Sequence, residues 1–243
     1  MPRTVDSKER EKEILKLVIE SYVEESKPIG SNYLCEKYHL GYSPATVRLV
    51  METLEEKNYL SHPHTSSGRI PTQKGFTLYV ECLKEEEMVH KYPVEFTIPA
   101  NCGFNEVLSD TLDFLAKASG CISLAAIFGK NKRFVSRGAR FMLEQPEFED
   151  IVKLKQLFYA LDVKIGELEY LLFHCADEHV KILIGDEIGC DEISNCSLVL
   201  LGEKEQGISF SLGLLGPMRM NYEKAASYIY GIKNQLKSLV GEL

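Results

Sequence analysis

The sequence predicts an α+β protein of two domains. Residues 1–88 are expected to form a winged helix-turn-helix domain, and residues 89–243 an antiparallel sheet with flanking helices. Three observations support this fold class. Short helical patterns and a hairpin pattern follow one another near the N-terminus. Strand-like and helical patterns alternate thereafter. The length of 243 residues is sufficient for two hydrophobic cores.

The first two predicted helices are separated by a break at Pro28-Ile29-Gly30. Before the break, apolar residues recur at the spacing of an amphipathic helix over residues 9–25. After it, Ser31 is a suitable N-cap for a short helix that ends near Tyr38.

Ser43 and Pro44 predict the start of a third helix. Serine caps a helix N-terminus well, and proline is tolerated at the first helical position because its missing N–H has no partner there. The helix is expected to end near Asn58. Its apolar face is expected to be buried and comprises Val47, Val50 or Met51, and Leu54.

A hairpin and a fourth helix complete the pattern. Tyr59-Leu60 and residues 69–71 are expected to be short strands around a tip at residues 62–68, and Thr72 is expected to start the fourth helix. Helix, helix, turn, helix and hairpin is the order of a winged helix.

In a winged helix, the third helix presents its first turn to the major groove of DNA, and the hairpin contacts the backbone. Arg48 is therefore the candidate for a base contact, and Arg69 for a phosphate contact together with the hydroxyl groups of the tip. The complete set of candidate DNA-binding residues is Ser31, Ser43, Ala45, Thr46, Arg48, Leu49, His64, Thr65, Ser66, Ser67, Gly68 and Arg69.

The charge of the chain supports DNA binding only weakly. A net charge of −8 argues against indiscriminate binding to polyanions. Between residues 27 and 76, six Lys and Arg residues accompany four Glu residues, which is a local excess of +2. The prediction therefore depends on geometry, and a winged helix that binds protein remains an alternative.

The second domain is expected to follow a linker near residues 85–93. Apolar runs predict strands at residues 122–128, 168–175, 180–184, 197–201 and 208–215. Helical patterns lie at residues 105–119, 147–164 and 222–240. His174 and His179 are expected to flank a hairpin turn between two of these strands.

Other features exclude several classes of protein. Seven scattered cysteines without a Cys-x-x-Cys pair predict reduced thiols and no metal site. The charged N-terminus and the lack of a long apolar run predict a cytoplasmic protein without a membrane span. No nucleotide-binding motif or catalytic arrangement is readable, so neither a cofactor nor an enzymatic activity is expected.

Two segments resemble a known family. They are Ser-Pro-Ala-Thr-Val-Arg at residues 43–48 and Pro-His-Thr-Ser-Ser-Gly-Arg-Ile-Pro-Thr at residues 63–72. Both are similar to the N-terminal domain of HrcA, the heat-inducible transcription repressor of bacterial chaperone operons. Residues 134–172, 180–201 and 213–236 resemble later parts of the family sequence, so the similarity covers about three quarters of the chain.

The resemblance implies several properties that the residues alone do not give. It implies a GAF-like fold for the second domain. It also implies a homodimer that binds double-stranded DNA at an inverted-repeat operator, represses heat-shock genes and is released on heat stress. A GroEL-type chaperonin is the implied protein partner.

The chain departs from the family pattern in two places. Leu49 and Val50 stand where members usually carry Asn and Glu, so the operator sequence is expected to differ. About a hundred residues are missing between residues 129 and 132, where the family inserts a dimerisation module. The resemblance therefore implies a shortened member of the family, and the sequence does not identify its dimer surface.

Two alternatives to this function remain. A ligand-gated winged-helix repressor of other genes would bind a small molecule in the second domain. A protein-interaction adaptor that has lost DNA binding would agree with the acidic composition and with Leu49 and Val50.

Overall fold

The computed structural model describes residues 7–63, 68–83, 85–97, 103–128, 132–174, 177–205 and 208–240. The chain divides into two compact units, Met1–Leu83 and Lys84–Leu243. The expected boundary after residue 88 falls inside a short helix, Glu85–His90, which belongs to the second unit.

Within its described residues, the first unit contains four helices and a two-stranded antiparallel sheet. These are α1 (Ser7–Glu25), α2 (Ser31–Tyr38), α3 (Pro44–Glu56), β1 (Leu60–Ser61), β2 (Ile70–Pro71) and α4 (Gln73–Glu81). Their shared core contains fully buried side chains from each of the first three helices, among them Ile14, Leu34 and Leu54. Burying such side chains is the main favourable term in folding.

In the first unit, one detail differs from the expectation, and one open choice is decided. Ser31 is the first residue of α2 rather than its cap, because Gly30 takes the N-cap position and makes no side-chain hydrogen bond there. Of the two candidates on α3, Met51 is the buried one and Val50 lies at the margin of the core.

The second unit is built on one antiparallel sheet with the strand order β4-β3-β7-β6-β5. The strands are β3 (Ile122–Phe128), β4 (Arg133–Arg137), β5 (Lys181–Ile184), β6 (Cys196–Glu205) and β7 (Ile208–Pro217). The helices are α5 (Glu85–His90), α6 (Phe104–Ser119), α7 (Ile151–Asp162), α8 (Ile165–His174) and α9 (Tyr222–Val240). Short 3-10 helices lie at Ala139–Glu144, Pro146–Phe148, Gly185–Ile188 and Asp191–Ile193.

Helices cover both faces of this sheet. On one face, Ser123 Oγ donates to the carbonyl of Leu112 in α6 at 2.7 Å, and Glu203 pairs with Lys233 in α9 at 3.1 Å. On the other face, sheet residues such as Leu124 pack in one apolar cluster with Leu157 of α7 and Leu172 of α8. The predicted fold class, α+β with a winged helix followed by a GAF-like antiparallel sheet domain and flanking helices, is confirmed.

The predicted strand at residues 168–175 is wrong, because this segment forms α8. Leu168 and Leu172 are both fully buried and lie four residues apart, which is one helical turn. The expected hairpin between His174 and His179 is therefore wrong as well, since the connection joins a helix to β5. The strand β4 was missed, as was α5 in the expected linker.

Strand β4 forms one edge of the sheet, and both of its terminal residues, Arg133 and Arg137, are exposed. At the other edge lies β5, which has only four residues. Within the described ranges, no helix is both long and apolar enough to cross a membrane. The cysteines that the structure describes are all free thiols, and Cys121, Cys190 and Cys196 are buried.

Candidate nucleic-acid interface

The N-terminus of α3 is fixed by a side-chain cap. Ser43 has an extended backbone, and its Oγ accepts a hydrogen bond from the backbone N–H of Thr46 at 3.2 Å. The hydroxyl groups of Ser43 and Thr46 lie 2.9 Å apart, and Pro44 occupies the first helical position. Capping of this kind satisfies an N–H that has no partner inside the helix, so the first turn of α3 is well ordered.

The two faces of α3 differ sharply in exposure. Val47, Met51 and Leu54 are buried, in the spacing of one helical face. On the opposite side Ala45 and Arg48 are exposed, and Leu49 is 64% exposed. Leu49 therefore contributes little to the packing of the first unit, and the outer face of α3 is free to contact another molecule.

Arg48 is held only loosely by its own helix. Its Nε lies 3.3 Å from Glu52 Oε1, and the two side chains are 73% and 43% exposed. Exposed ion pairs contribute little net stability, so the guanidinium can leave Glu52 for another acceptor at little cost.

The turn before α3 is tied to α1. His39 has the left-handed backbone conformation that ends α2. In the next residues, the Tyr42 ring packs under the Arg10 guanidinium at 4.9 Å and its hydroxyl donates to Glu13 at 3.4 Å. These contacts fix where the helix-turn-helix places the start of α3.

The base of the wing includes a third segment that the sequence did not reveal. Strands β1 and β2 pair through Leu60 with Pro71 and Ser61 with Ile70. Ile29 and Arg69 then exchange two backbone hydrogen bonds of 2.8 Å, which adds the α1–α2 connection as a further strand-like element. The Cβ of any other residue at position 68 would lie 2.4 Å from the Ile29 carbonyl, so Gly68 is required by this close approach.

Glu55, near the end of α3, connects this helix to both strands of the wing. One carboxylate oxygen lies 2.7 Å from Arg69 Nε, and the other contacts His62 Nδ1. The side chain of Arg69 is only 17% exposed. Sequence reasoning missed Glu55, because its partners are 7 and 14 residues away along the chain.

This geometry adds a contact to the role expected for Arg69. The phosphate contact stays a prediction, and Nε of the guanidinium contacts Glu55 at the base of the wing. We propose that Arg69 also positions the wing. Ser31 lies half-buried in the first turn of α2. His64, Thr65, Ser66 and Ser67 lie outside the described residues.

Comparison with known proteins identifies the family. Residues 103–226, which are just over half of the 243 residues, match the family model of the HrcA protein C-terminal domain. The chain belongs to the HrcA family. Its members among curated proteins are named heat-inducible transcription repressors, so the predicted family is confirmed.

Two HrcA relatives illustrate the extent of the similarity. The HrcA of Symbiobacterium thermophilum is 25% identical over an alignment of 339 positions that covers 95% of this chain and 98% of the relative. The HrcA of Chlorobium phaeobacteroides is 47% identical over 78 residues, which are 32% of this chain and 22% of that relative.

A solved structure shares the fold. It is the crystal structure of a hypothetical protein, with a TM-score of 0.79 and 18% sequence identity. The match covers 96% of this chain and 98% of that one. The similarity therefore extends through both units of the HrcA-family chain.

Proposed function

We propose that this protein is a sequence-specific transcription repressor of heat-shock genes that binds double-stranded DNA through α3. The observation that carries the proposal is the capped first turn of α3, which buries one face and exposes Ala45, Arg48 and Leu49 on the other. The names of the HrcA relatives supply the regulated process.

The exposed face of α3 offers two kinds of base contact. Arg48 can donate two hydrogen bonds to O6 and N7 of guanine once it leaves Glu52. Leu49 can contact the methyl group of thymine, which is an apolar feature of the major groove. The N-terminal amides of α3 favour a nearby phosphate and orient the helix. The wing, including residues 64–67, is assigned to the adjoining backbone.

The remaining features of the repressor follow the family. A homodimer would place two copies of α3 on the half-sites of an inverted repeat, because the symmetry of the protein then matches that of the operator. Release on heat stress and dependence on a GroEL-type chaperonin are included in the proposal, as is a cytoplasmic location.

The ligand-gated alternative receives no support from the cavity between the sheet, α6 and α9. This cavity is lined by Leu108, Phe210 and Leu236 among others and encloses about 10 Å³. Small-molecule sites are far larger, on the order of 300–1,000 Å³.

The proposal is tested by two arginine substitutions in the full chain. A duplex selected by the wild type from a random pool and its scrambled counterpart are titrated by fluorescence anisotropy at several salt concentrations. Arg48→Ala should reduce the affinity ratio of the two duplexes by about fivefold or more, because a bidentate base contact contributes about 1–3 kcal/mol to discrimination. Arg69→Ala should weaken binding to both duplexes by similar factors, because it loosens the wing.

The matched control is Arg140→Ala, an exposed arginine of the second unit, which should change neither affinity. Full discrimination by Arg48→Ala would show that Arg48 does not read bases. A wild-type protein without salt-dependent binding to any duplex would contradict the repressor function and favour the adaptor.

A further inference from the structure

The second unit carries an apolar surface that its own packing leaves uncovered. Of the eight large hydrophobic side chains that are exposed in the described residues, six belong to α7, to the residue after it or to α8. They are Ile151, Val152, Phe158, Tyr159, Val163 and Tyr170. We call this set the α7 face. Such a concentration on a protein surface marks an interaction site.

The α7 face lies on the side of the helix that is turned away from the apolar cluster of the second unit. Leu157, Ala160 and Leu161 point into the core. Val152 and Tyr159 are seven residues apart and Val163 follows after four more, so the three form one stripe along the helix. Val152 and Val163 are each 60% exposed, and Tyr159 is 47% exposed. The helix is therefore apolar on two sides, as expected when two different surfaces cover it.

The exposed area is of the size that a protein partner covers. If a fully exposed side chain of this kind presents roughly 150–250 Å², the six residues expose on the order of 600 Å². One partner of a standard interface buries about 800 Å², and the polar residues that border the stripe would supply the rest.

Two charges border the stripe on the same side. Lys155 and Asp162 are seven residues apart, so they occupy the same edge of α7, and both are exposed. Among the described residues, neither has an ion-pair partner. Asp162 also lies in the last turn of its helix, where a carboxylate is unfavourable and a cation from elsewhere would compensate it.

These charges are complementary to themselves under a two-fold rotation. When two copies of α7 lie antiparallel, Lys155 of each copy faces Asp162 of the other, while Val152 faces Val163. A parallel two-fold arrangement would not bring these charges together, because it places the charged edges of the two copies on opposite sides of the helix pair. Closed two-fold symmetry is also the commonest symmetry of soluble homo-oligomers.

We propose that the α7 face is the dimer surface of this protein, where α7 packs antiparallel against α7 of a second copy of the chain. The inference rests on the proposed function in that it names the contact that joins the two DNA-binding units. It also accounts for how a chain of 243 residues dimerises although its relatives align over 339 positions.

Sedimentation equilibrium of the full chain tests the surface. The wild type should be a dimer at micromolar concentration, and Val152→Glu/Tyr159→Glu should raise the dimer dissociation constant by about a hundredfold or more, because it places charge at the centre of an apolar contact. Leu49→Glu makes the same kind of change at an exposed leucine of the first unit and should leave the dimer intact.

A charge exchange tests the antiparallel arrangement without removing apolar surface. Lys155→Asp alone should weaken the dimer by about tenfold, because it sets aspartate against Asp162 of the second copy. Adding Asp162→Lys should restore the affinity to within about threefold of the wild type. Both residues are exposed, so the fold should be retained, and circular dichroism verifies this.

The outcomes separate this inference from the proposed function. A wild type that stays monomeric at about 100 µM, or variants that stay dimeric, would overturn the dimer surface. In either case, binding of the protein to a single half-site would still support the repressor function. A dimer that responds as described but binds no duplex would support the surface and contradict the function. Failure of the charge exchange to restore the dimer would overturn the antiparallel pairing.

Discussion

At Gly75 the chain passes so close to itself that only glycine fits. A Cβ at this position in α4 would lie 2.2 Å from the carbonyl oxygen of Tyr59, which is backbone and cannot rotate away. The approach is set by Thr72, whose Oγ accepts from the Gly75 N–H at 3.1 Å and donates to the Asn58 carbonyl at 2.7 Å.

Gly75→Ala should therefore destabilise the first unit by about 1–3 kcal/mol, the usual cost of forcing extra atoms into a packed site. Urea unfolding of the full chain measures the change. Gly41→Ala is the matched control, because a Cβ at Gly41 meets nothing within 4 Å. Equal stability of the two variants would show that α4 can shift away from Tyr59.

Residues whose role depends on near neighbours could be predicted from the sequence. The cap at Ser43 and the buried face at Val47 and Leu54 involve positions within one or two helical turns. The contact of Arg69 with Glu55 could not be predicted, because the two residues come close only after α3 and the wing have formed.

At the scale of elements, the contact between α3 and the wing is the feature most open to test. Glu55→Gln keeps the shape of the side chain but removes the charge that contacts Arg69 and His62. We expect a loss of about 1 kcal/mol, and faster hydrogen exchange in β1 and β2, because partly buried pairs contribute more than exposed ones. Hydrogen exchange by mass spectrometry gives the local change.

Glu52→Gln provides the comparison for this prediction. Its pair with Arg48 is largely exposed, so its removal should cost less than about 0.5 kcal/mol and leave the exchange of the wing unchanged. If both variants alter the wing equally, Glu55 has no special part in holding it.

Elements were predicted well where one periodicity was clear and poorly where it was not. β3 and α9 have the predicted bounds, because an unbroken apolar run and a long amphipathic pattern are each unambiguous. The run Leu-Glu-Tyr-Leu-Leu-Phe in α8 is short and apolar, and such a run is compatible with a strand or a helix. In the structure its buried residues, Leu168 and Leu172, lie one helical turn apart. α5 was missed because three of its six residues are glutamates, although Met88 and Val89 are buried.

For the whole molecule, buried acidic groups in the second unit predict a loss of stability in alkali. Burial raises the pKa of the Cys121 thiol from its ordinary value of 9.0 to about 11, and burial likewise raises the pKa values of Cys196 and Tyr222. From pH 9 to 11 the unfolded chain releases the Cys121 proton while the folded chain keeps it. Stability therefore falls as the pH rises through this range.

Urea unfolding at pH 7.5, 9 and 10.5 in reductant should show this fall, at up to about 1.4 kcal/mol per pH unit for each such group. Cys121→Ala should reduce the slope, since it removes one titrating group. Cys82→Ser, at an exposed thiol, should leave the slope unchanged. A stability that stays constant up to pH 10.5 would contradict the burial of these groups.

The two edge strands of the sheet, β4 and β5, affect whether molecules pair with one another at high concentration. Two β4 edges that met in antiparallel order about Val135 would set Arg133 against Arg137 twice, and like charges directly opposite each other oppose pairing. Strand β5 at the other edge has only four residues, so it presents few backbone N–H and C=O groups to which another strand could pair. The fold thus resists growth into extended cross-strand aggregates, which is a useful property in a protein whose relatives are named for their response to heat.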